Sequence, residues 1–226
     1  MANRPYFGLG DTTTCFYTEQ TADFVYSPGL ARSQKVKNVH ALHESILRRH
    51  PQSRTLEIST KSDLQLGQAL SAFNLTWQLN GKAYPLECIF QGSKVFSQGG
   101  PYKDLILGEP LQAKRDERLK NSGSLQHFIF RSEKWPLEPA TCFYDYIYMQ
   151  ALRTHPDLVK ELVQFDTFTD IEFNPKRSVN CQARSVAIFV TLVRYGRLDE
   201  FLCDQESFIK LYRNRVSDQQ ELLAFA

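Results

Sequence analysis

The chain has 226 residues, with 27 basic and 25 acidic side chains and a formal net charge of +2. So small a charge excludes a protein that binds nucleic acid through overall positive charge alone. Hydrophobic residues make up 42% and aromatic residues 12% of the sequence. The chain can therefore bury a large core, and one domain over residues 1–226 is predicted, with two small lobes as the alternative.

The first third of the sequence predicts a mixture of short strands and helices. A run of apolar residues at helical spacing ends at Pro51, which cannot continue a helix. Further on, Asn80-Gly81 separates two short apolar segments and predicts a tight hairpin turn. The predicted elements are ordered strands or loop over 1–33, a helix over 34–50, a strand over 55–59, a helix over 64–73, and strands over 74–78 and 82–84.

The remaining sequence predicts mainly helices. The apolar segment 186–193 fits a buried strand or a buried helix, but its length and the following Gly196, a typical C-terminal cap, favour a helix. Pro85 suits the first turn of a central helix. The predicted elements are that central helix over 85–96, a charged exposed helix over 111–120, a rigid connector over 135–139, and helices over 141–155 and 179–195.

The cysteines and the hydropathy pattern indicate the compartment. The five cysteines are odd in number, widely spaced and never in a CxxC motif: Cys15, Cys88, Cys142, Cys181 and Cys203. No apolar run reaches the ~18–20 residues that cross a bilayer, and the first residues lack a signal-peptide core. We therefore expect a soluble, reduced, cytoplasmic protein with no membrane partner.

The most informative segment is YPLECIFQGSKVF, residues 84–96, because it places three polar side chains in an otherwise apolar run. Glu87, Gln91 and Lys94 are spaced i, i+4 and i+7, which puts them on one face of a helix. A helix that is apolar on its other faces is normally buried, so these groups must contact one another or a pocket. They could form an internal ion pair. They could also form a pocket floor, with a carboxylate and a lysine of lowered pKa.

A second polar cluster lies in FTDIEFNPKRSVNCQAR, residues 168–184. Asp170 alternates with apolar residues, and Asn174 precedes a proline that turns the chain. Asn180 and Arg184 are predicted to share one helical face. The cluster fits either a pocket rim or a capped turn with solvated charges.

Two further features concern charged partners and metals. Between residues 29 and 61 there are seven cations and two acids, which suits either a phosphate-bearing partner or a solvated basic surface. His40, His43 and Glu44 form an HxxHE pattern, but two ligands one helical turn apart without a third are weak evidence for a metal, and none is predicted. The seven cations are Arg32, Lys35, Lys37, Arg48, Arg49, Arg54 and Lys61.

An ordered set of segments resembles a known family. The segments are LEISTKS, ALSAFNL, PLECIFQGSKVF, GGPYKDL, WPLEP and FTDIEFNPKRSVNCQAR. Together, over roughly residues 50–197, they resemble the NADAR family, which is associated with NAD and ADP-ribose metabolism and includes N-glycosidases. They are most similar to the branch of antitoxins paired with DNA-modifying ADP-ribosyltransferase (DarT-type) toxins. The resemblance implies an α+β, helix-rich, single compact NADAR-like domain with a few short strands and no cofactor.

The same resemblance implies an enzyme that removes ADP-ribose from guanine bases in DNA or RNA by cleaving an N-glycosidic bond. Glu87 and Lys94 would be catalytic, with Gln91 between them binding the substrate. Asp170, Asn174 and Asn180 would bind on the ribose and water side, although DIEFNPKRS replaces the Trp-Gly segment of many family members.

The chemistry of ADP-ribose suggests further binding residues. Its phosphates suit basic side chains and glycine backbone, and its adenine suits an aromatic face. The candidates are Arg54, Lys61, Gly99, Gly100, Phe73 and Tyr102. Two alternatives stay open: a non-catalytic protein that binds ADP-ribose or neutralises its toxin by contact, and an N-glycosidase acting on a small riboflavin-pathway intermediate.

Overall fold

The structure, a computed structural model, describes residues 1–11, 15–176 and 178–213. The chain divides into two compact units, one formed by Met1–Ser71 with the chain from Pro156 onward and the other by Ala72–His155. Helices and short strands occur in both, which confirms the prediction of a helix-rich α+β protein. The single domain over residues 1–226 stays a prediction.

The described strands and helices follow in chain order. The strands are β1 Ala2–Leu9, β2 Tyr17–Phe24, β3 Thr55–Glu57, β4 Thr76–Leu79, β5 Lys82–Pro85, β6 Lys94–Phe96, β7 Leu125–Phe130, β8 Glu133–Trp135 and β9 Thr167–Thr169. The helices are α1 Arg32–Arg49, α2 Gln65–Ala69, α3 Leu86–Gly92, α4 Pro110–Arg115, α5 Arg118–Asn121, α6 Cys142–Arg153, α7 Pro156–Leu162, α8 Gln182–Arg194, α9 Leu198–Phe201 and α10 Gln205–Tyr212, with a 3₁₀ helix at Lys103–Leu107.

The first unit is built on a four-stranded sheet in the order β2-β1-β9-β3. The predicted amino-terminal strands are present, and β1 pairs with β2 in antiparallel fashion from Ala2 opposite Phe24 to Leu9 opposite Tyr17. Strand β3 runs parallel to β9. Helix α1 buries its apolar stripe against this sheet, through the cluster of Tyr6, Ala22, Phe24, Val39, Leu42, Ile46 and Ile171.

Helix α8 is the most apolar element of this unit. Every residue from Ala183 to Leu192 is buried, and Gly196 follows with a φ of +67° that suits a C-terminal cap. The helical interpretation of this segment is therefore confirmed. The helix begins at Gln182, however, so the prediction that Asn180 and Arg184 share a helical face is wrong.

The second unit combines a hairpin, a three-stranded sheet and buried helices. Strands β4 and β5 pair as predicted, and Asn80 and Gly81 have φ values of 50° and 74°, as the central residues of a type I′ turn require. Strands β6, β7 and β8 form the sheet. Helix α6 is buried along most of its length, and its Phe143 stacks on Phe128 with ring centroids 4.6 Å apart.

Three predicted helices are shorter than expected. The helix predicted over 64–73 is only Gln65–Ala69, and the one over 111–120 is divided at Asp116, whose carboxylate accepts the backbone N–H of Arg118 at 2.9 Å. The central helix ends at Gly92 rather than residue 96. The reason is sheet pairing: the carbonyl of Ser93 accepts the N–H of Ile129 at 2.8 Å, so the chain continues as β6 beside β7.

Candidate functional site

Helix α3 carries the polar stripe and is buried at every position from Leu86 to Gly92. Its first turn is anchored by preceding chain, since the N–H of Leu86 donates to the carbonyl of Leu75 and that of Glu87 donates to Ala72. These bonds satisfy two of the N–H groups that a helix leaves without an internal acceptor. The carboxylate of Glu87 is thereby held in a fixed position inside the second unit.

Glu87, Gln91 and Lys94 form a hydrogen-bonded chain. The ammonium of Lys94 donates to Gln91 Oε1 at 2.7 Å, and Gln91 Nε2 donates to Glu87 Oε1 at 2.8 Å. Mutual contact is one of the two alternatives that the sequence left open, but the predicted helical position of Lys94 is wrong, because Lys94 lies on β6 and not on α3. One amide connects the amine to the carboxylate, with its oxygen toward the cation and its N–H toward the anion.

The environment of Lys94 raises the fraction of its neutral form above that of an ordinary lysine. Burial lowers the pKa of Lys94 to about 8, the nearby Glu87 opposes that shift, and Lys114 adds to it. Its ammonium also lies over the ring of Phe90, 4.6 Å from the centroid. With a pKa near 8, about one lysine in ten carries a free amine at pH 7, against fewer than one in a thousand for an ordinary lysine. A small fraction of Lys94 thus carries a free amine, the form that can act as a nucleophile, and the Gln91 amide separates it from the Glu87 carboxylate.

Lys114 is a member of this cluster that the sequence analysis missed. Its ammonium lies 3.8 Å from Glu87 Oε1 and 4.8 Å from the centroid of the Phe73 ring. The buried Ala113 on α4 packs with Cys88 of α3 and with Leu105, which brings the next residue close to Glu87. Nothing in the charged pattern of residues 111–120 distinguished Lys114 from its neighbours.

Gly99, Gly100 and Tyr102 also lie in the second unit, where packing explains them. A side chain at Gly100 would overlap the carbonyl of Lys94, and its φ is +88°. A side chain at Gly99 would overlap the Tyr102 hydroxyl, which is hydrogen-bonded to Ser122. The guanidinium of Arg118 covers one face of Tyr102 at 4.5 Å. The glycines hold the loop against Lys94, and binding of a ligand by these residues stays a prediction.

The other candidates lie in the first unit, where most serve local structure. The exposed Arg54 lies over the Phe165 ring at 5.7 Å, and Lys61 donates to Thr60 Oγ1 at 2.9 Å. The side chain of Asn174 accepts the N–H of Lys176 at 3.0 Å, which forms the predicted turn. The backbone carbonyl of Asn180 accepts a bond from Ser178. A contribution of these residues to ligand binding is untested.

Other members of the basic region have protein contacts as well. Lys35 forms an ion pair with Glu172 at 3.2 Å, Arg32 donates to the carbonyl of Ser62, and Arg49 donates to the carbonyl of Thr21. Three of the seven cations in this region therefore have acceptors within the protein. The phosphate-bearing partner suggested by the region stays a prediction.

Asp170 belongs to a buried carboxyl pair whose second member, Glu57, the sequence analysis missed as a site residue. Glu57 accepts hydrogen bonds from Ser59 and from the N–H of Ile171 on one oxygen, and from Thr169 on the other. Burial and the neighbouring Glu57 raise the pKa of Asp170 to about 8. Burial raises the pKa of Glu57 as well, although its three donors oppose that shift, so burial of the pair favours a protonated carboxyl.

The two histidines of the HxxHE pattern have separate roles. His40 pairs with Asp63 at 2.9 Å, whereas His43 contacts Thr169 Oγ1 at 2.8 Å. Because Thr169 gives its hydrogen to Glu57, His43 must donate to Thr169, and burial lowers the pKa of His43 to about 4. Among the described residues no group of three or more His, Cys, Asp and Glu side chains could hold a metal ion.

Two kinds of finding bear on the class of protein: the hydropathy of its helices and its similarity to known proteins. Over residues 1–11, 15–176 and 178–213, no helix is both long and apolar enough to cross a membrane. A search of curated proteins finds no match. The sequence does match the family model described as DarT1-associated NADAR antitoxin, over residues 2–222. That match covers nearly the whole chain and includes both the α3 site and the buried carboxyl pair, so the chain belongs to the family of DarT1-associated NADAR antitoxins.

Proposed function

We propose that this protein is an N-glycosidase that removes ADP-ribose from ADP-ribosylated guanine in DNA or RNA and so reverses the action of its DarT-type toxin. The observation that carries the proposal is the hydrogen-bonded chain from Lys94 on β6 to Gln91 and Glu87 on the buried helix α3. It combines an amine of lowered pKa with a carboxylate fixed nearby. Membership of the antitoxin family supports the biological setting.

In the proposed reaction the free amine of Lys94 attacks the anomeric carbon of the ribose. The bond between that carbon and the guanine nitrogen breaks, its electron pair stays with the nitrogen, and the nitrogen takes up a proton. The ring then opens to a Schiff base between Lys94 and the ribose, as amine nucleophiles form with sugar aldehydes. Water hydrolyses this intermediate and releases ADP-ribose and the free lysine, so no oxidant or cofactor is consumed.

In the same reaction, Glu87 acts on the positive charge that develops at the anomeric carbon of the sugar. A carboxylate near an anomeric carbon stabilises an oxocarbenium-like centre or transfers a proton to or from water. Gln91 fixes the spacing between Glu87 and Lys94, because its amide bonds to both. The target base must be unpaired or flipped out for the half-buried Lys94 to reach its glycosidic bond. Single-stranded substrate should therefore react at least as fast as duplex.

The test is release of ADP-ribose from an oligonucleotide that carries ADP-ribosylated guanine, followed by chromatography and mass spectrometry. Wild-type protein should release free ADP-ribose and restore guanine. Lys94→Ala and Glu87→Gln should each lower the rate by about a hundredfold or more. Lys120→Ala is the matched control, since this exposed lysine lies on α5 outside the cluster, and it should keep the wild-type rate.

Borohydride added during turnover should trap the Schiff base as a permanent adduct on the peptide containing Lys94. Turnover without any trapped adduct would remove the covalent route and leave Glu87 as the main catalytic group. Binding of ADP-ribose without release would instead support a non-catalytic antitoxin. Faster cleavage of a riboflavin-pathway N-glycoside than of modified DNA would assign the site to the small-molecule alternative.

A further inference from the structure

Lys114 carries a charged group for which the catalytic proposal gives no role. Its side chain is 53% exposed, whereas that of the neighbouring Glu87 is 7% exposed. Across the described parts of the chain, no hydrogen bond from the Lys114 ammonium is formed, and its nearest acidic atom is 3.8 Å away. Its three N–H donors therefore remain available to a further acceptor.

The backbone at Lys114 is nevertheless held in place, and two neighbouring groups attract its ammonium. Ala113, the preceding residue on α4, is buried against α3 and holds the backbone in place. The ammonium then lies over the Phe73 ring at 4.8 Å, close enough for a cation–π attraction. The carboxylate of Glu87 attracts it from the other side. The result is a preoriented cation at the solvent-facing side of the Glu87–Gln91–Lys94 chain.

A purely structural counter-ion for Glu87 would be expected to look different. Charge-assisted hydrogen bonds between an ammonium and a carboxylate are usually about 2.7–2.9 Å long. Lys114 is farther than this from Glu87 Oε1, and that oxygen already accepts a bond from Gln91. Half of the lysine side chain also stays in water, where a lone ion pair contributes little to stability.

Two other cations of the second unit, Lys94 and Arg118, already donate to protein acceptors. Lys94 donates to Gln91 at 2.7 Å. Arg118 bonds to Asp104 at 2.6 Å and to Asp116 at 2.9 Å. Binding a ligand anion through either residue would break those bonds first. Lys114 can bind a ligand anion without breaking a hydrogen bond and gives up only its attraction to Glu87. Of the three cations it is therefore the best placed to do so.

We propose that Lys114 binds the diphosphate of ADP-ribose and positions the ligand above Glu87. This inference rests on the proposed function, because it takes its ligand from there. An ammonium acts on phosphate as a compact charge with three rotatable donors, which suits a group that must turn from Glu87 toward a ligand. When the ligand occupies the site, Lys114 is drawn toward the phosphates and the electrostatic environment of Glu87 and Lys94 changes as well.

Titration calorimetry with ADP-ribose on full-length protein tests the proposal. We expect Lys114→Ala to weaken binding by about tenfold or more, and Lys114→Arg, which retains the charge, to recover most of the loss. Lys120→Ala removes an equal charge from the neighbouring α5 and should bind like wild type. Raising the salt concentration should weaken wild-type binding more than Lys114→Ala binding, since the variant lacks one screened attraction.

Thermal denaturation of each variant separates a binding role from a structural one. Equal affinity of Lys114→Ala and wild type, or loss of affinity accompanied by a large fall in melting temperature in both Lys114 variants, would overturn the proposal. The same holds if wild type does not bind ADP-ribose. The proposed function fails on a different measurement: wild type that binds ADP-ribose through Lys114 yet releases none from modified DNA would overturn the enzyme and leave this inference intact.

Discussion

Replacing Glu87 with Gln should lower the pKa of Lys94 further. The variant keeps an oxygen that can accept the bond from Gln91 but removes the negative charge that opposes the effect of burial. The two hydrogen bonds and the amide between them limit the separation of the Glu87 oxygen and the Lys94 nitrogen to about 8 Å. At an effective dielectric constant of about 20, the lost attraction is about 2 kcal/mol, so the pKa should fall from about 8 by about 1 to 1.5.

Competitive acetylation measures this pKa without any substrate. The protein is acetylated over a range of about pH 5 to pH 10, and the extent of reaction at Lys94 is read by peptide mass spectrometry. Lys120 in the same digest reports differences in reagent and recovery. Circular dichroism checks that the variant folds. An unchanged or raised pKa in Glu87→Gln would refute the reasoning, because it would mean that the charge of Glu87 does not act on Lys94.

Two further predictions concern stability. Burial and the nearby Glu57 raise the pKa of Asp170 to about 8, so the folded protein keeps a proton that the unfolded chain releases. The free energy of unfolding should therefore fall as the pH rises from about 4 to about 8, by at most about 6 kcal/mol. Asp170→Asn should flatten this dependence in urea denaturation at several pH values, and equal slopes would contradict the assignment. Gly81→Ala should lower the free energy of unfolding by about 1 kcal/mol, because only the positive φ of Gly81 disfavours a side chain there. Gly67→Ala should cost about 3 kcal/mol because the added carbon would overlap the carbonyl of Glu57, and similar losses for the two would be the contrary result.

Local patterns were sufficient to predict most elements of the fold. The apolar stripe of α1, the Asn80-Gly81 turn and the apolar length of α8 each carry their own structural preference. The errors occur where tertiary contacts decide. Gly92 weakens the helix only slightly by itself, but pairing of β6 with β7 takes the carbonyl of Ser93 and ends the helix there.

The candidate site shows the same division. Glu87, Gln91 and Lys94 lie within eight positions of one another, so their spacing alone predicted a common polar face, with contact among them as one alternative. Lys114 comes from an element twenty residues later, and its approach to Glu87 depends on how α4 packs. Glu57 pairs with Asp170 only because β3 and β9 are neighbours in the sheet. Residues so far apart in the sequence share no helical or strand periodicity, so their contact could not be predicted from spacing.

The change from helix to strand at Ser93 is what makes the α3 cluster suitable for chemistry. In a continuous helix the amine of Lys94 would hang from a flexible side chain on the same surface as Gln91. On β6 its backbone is instead held by pairing with Phe128 and by close packing of Gly100 against its carbonyl. The rigid backbone leaves only the side chain to be ordered, and the bond to Gln91 does so. In the proposed reaction, a half-buried amine positioned in this way would meet its electrophile with little entropy left to lose, which is the advantage that preorganised nucleophiles offer.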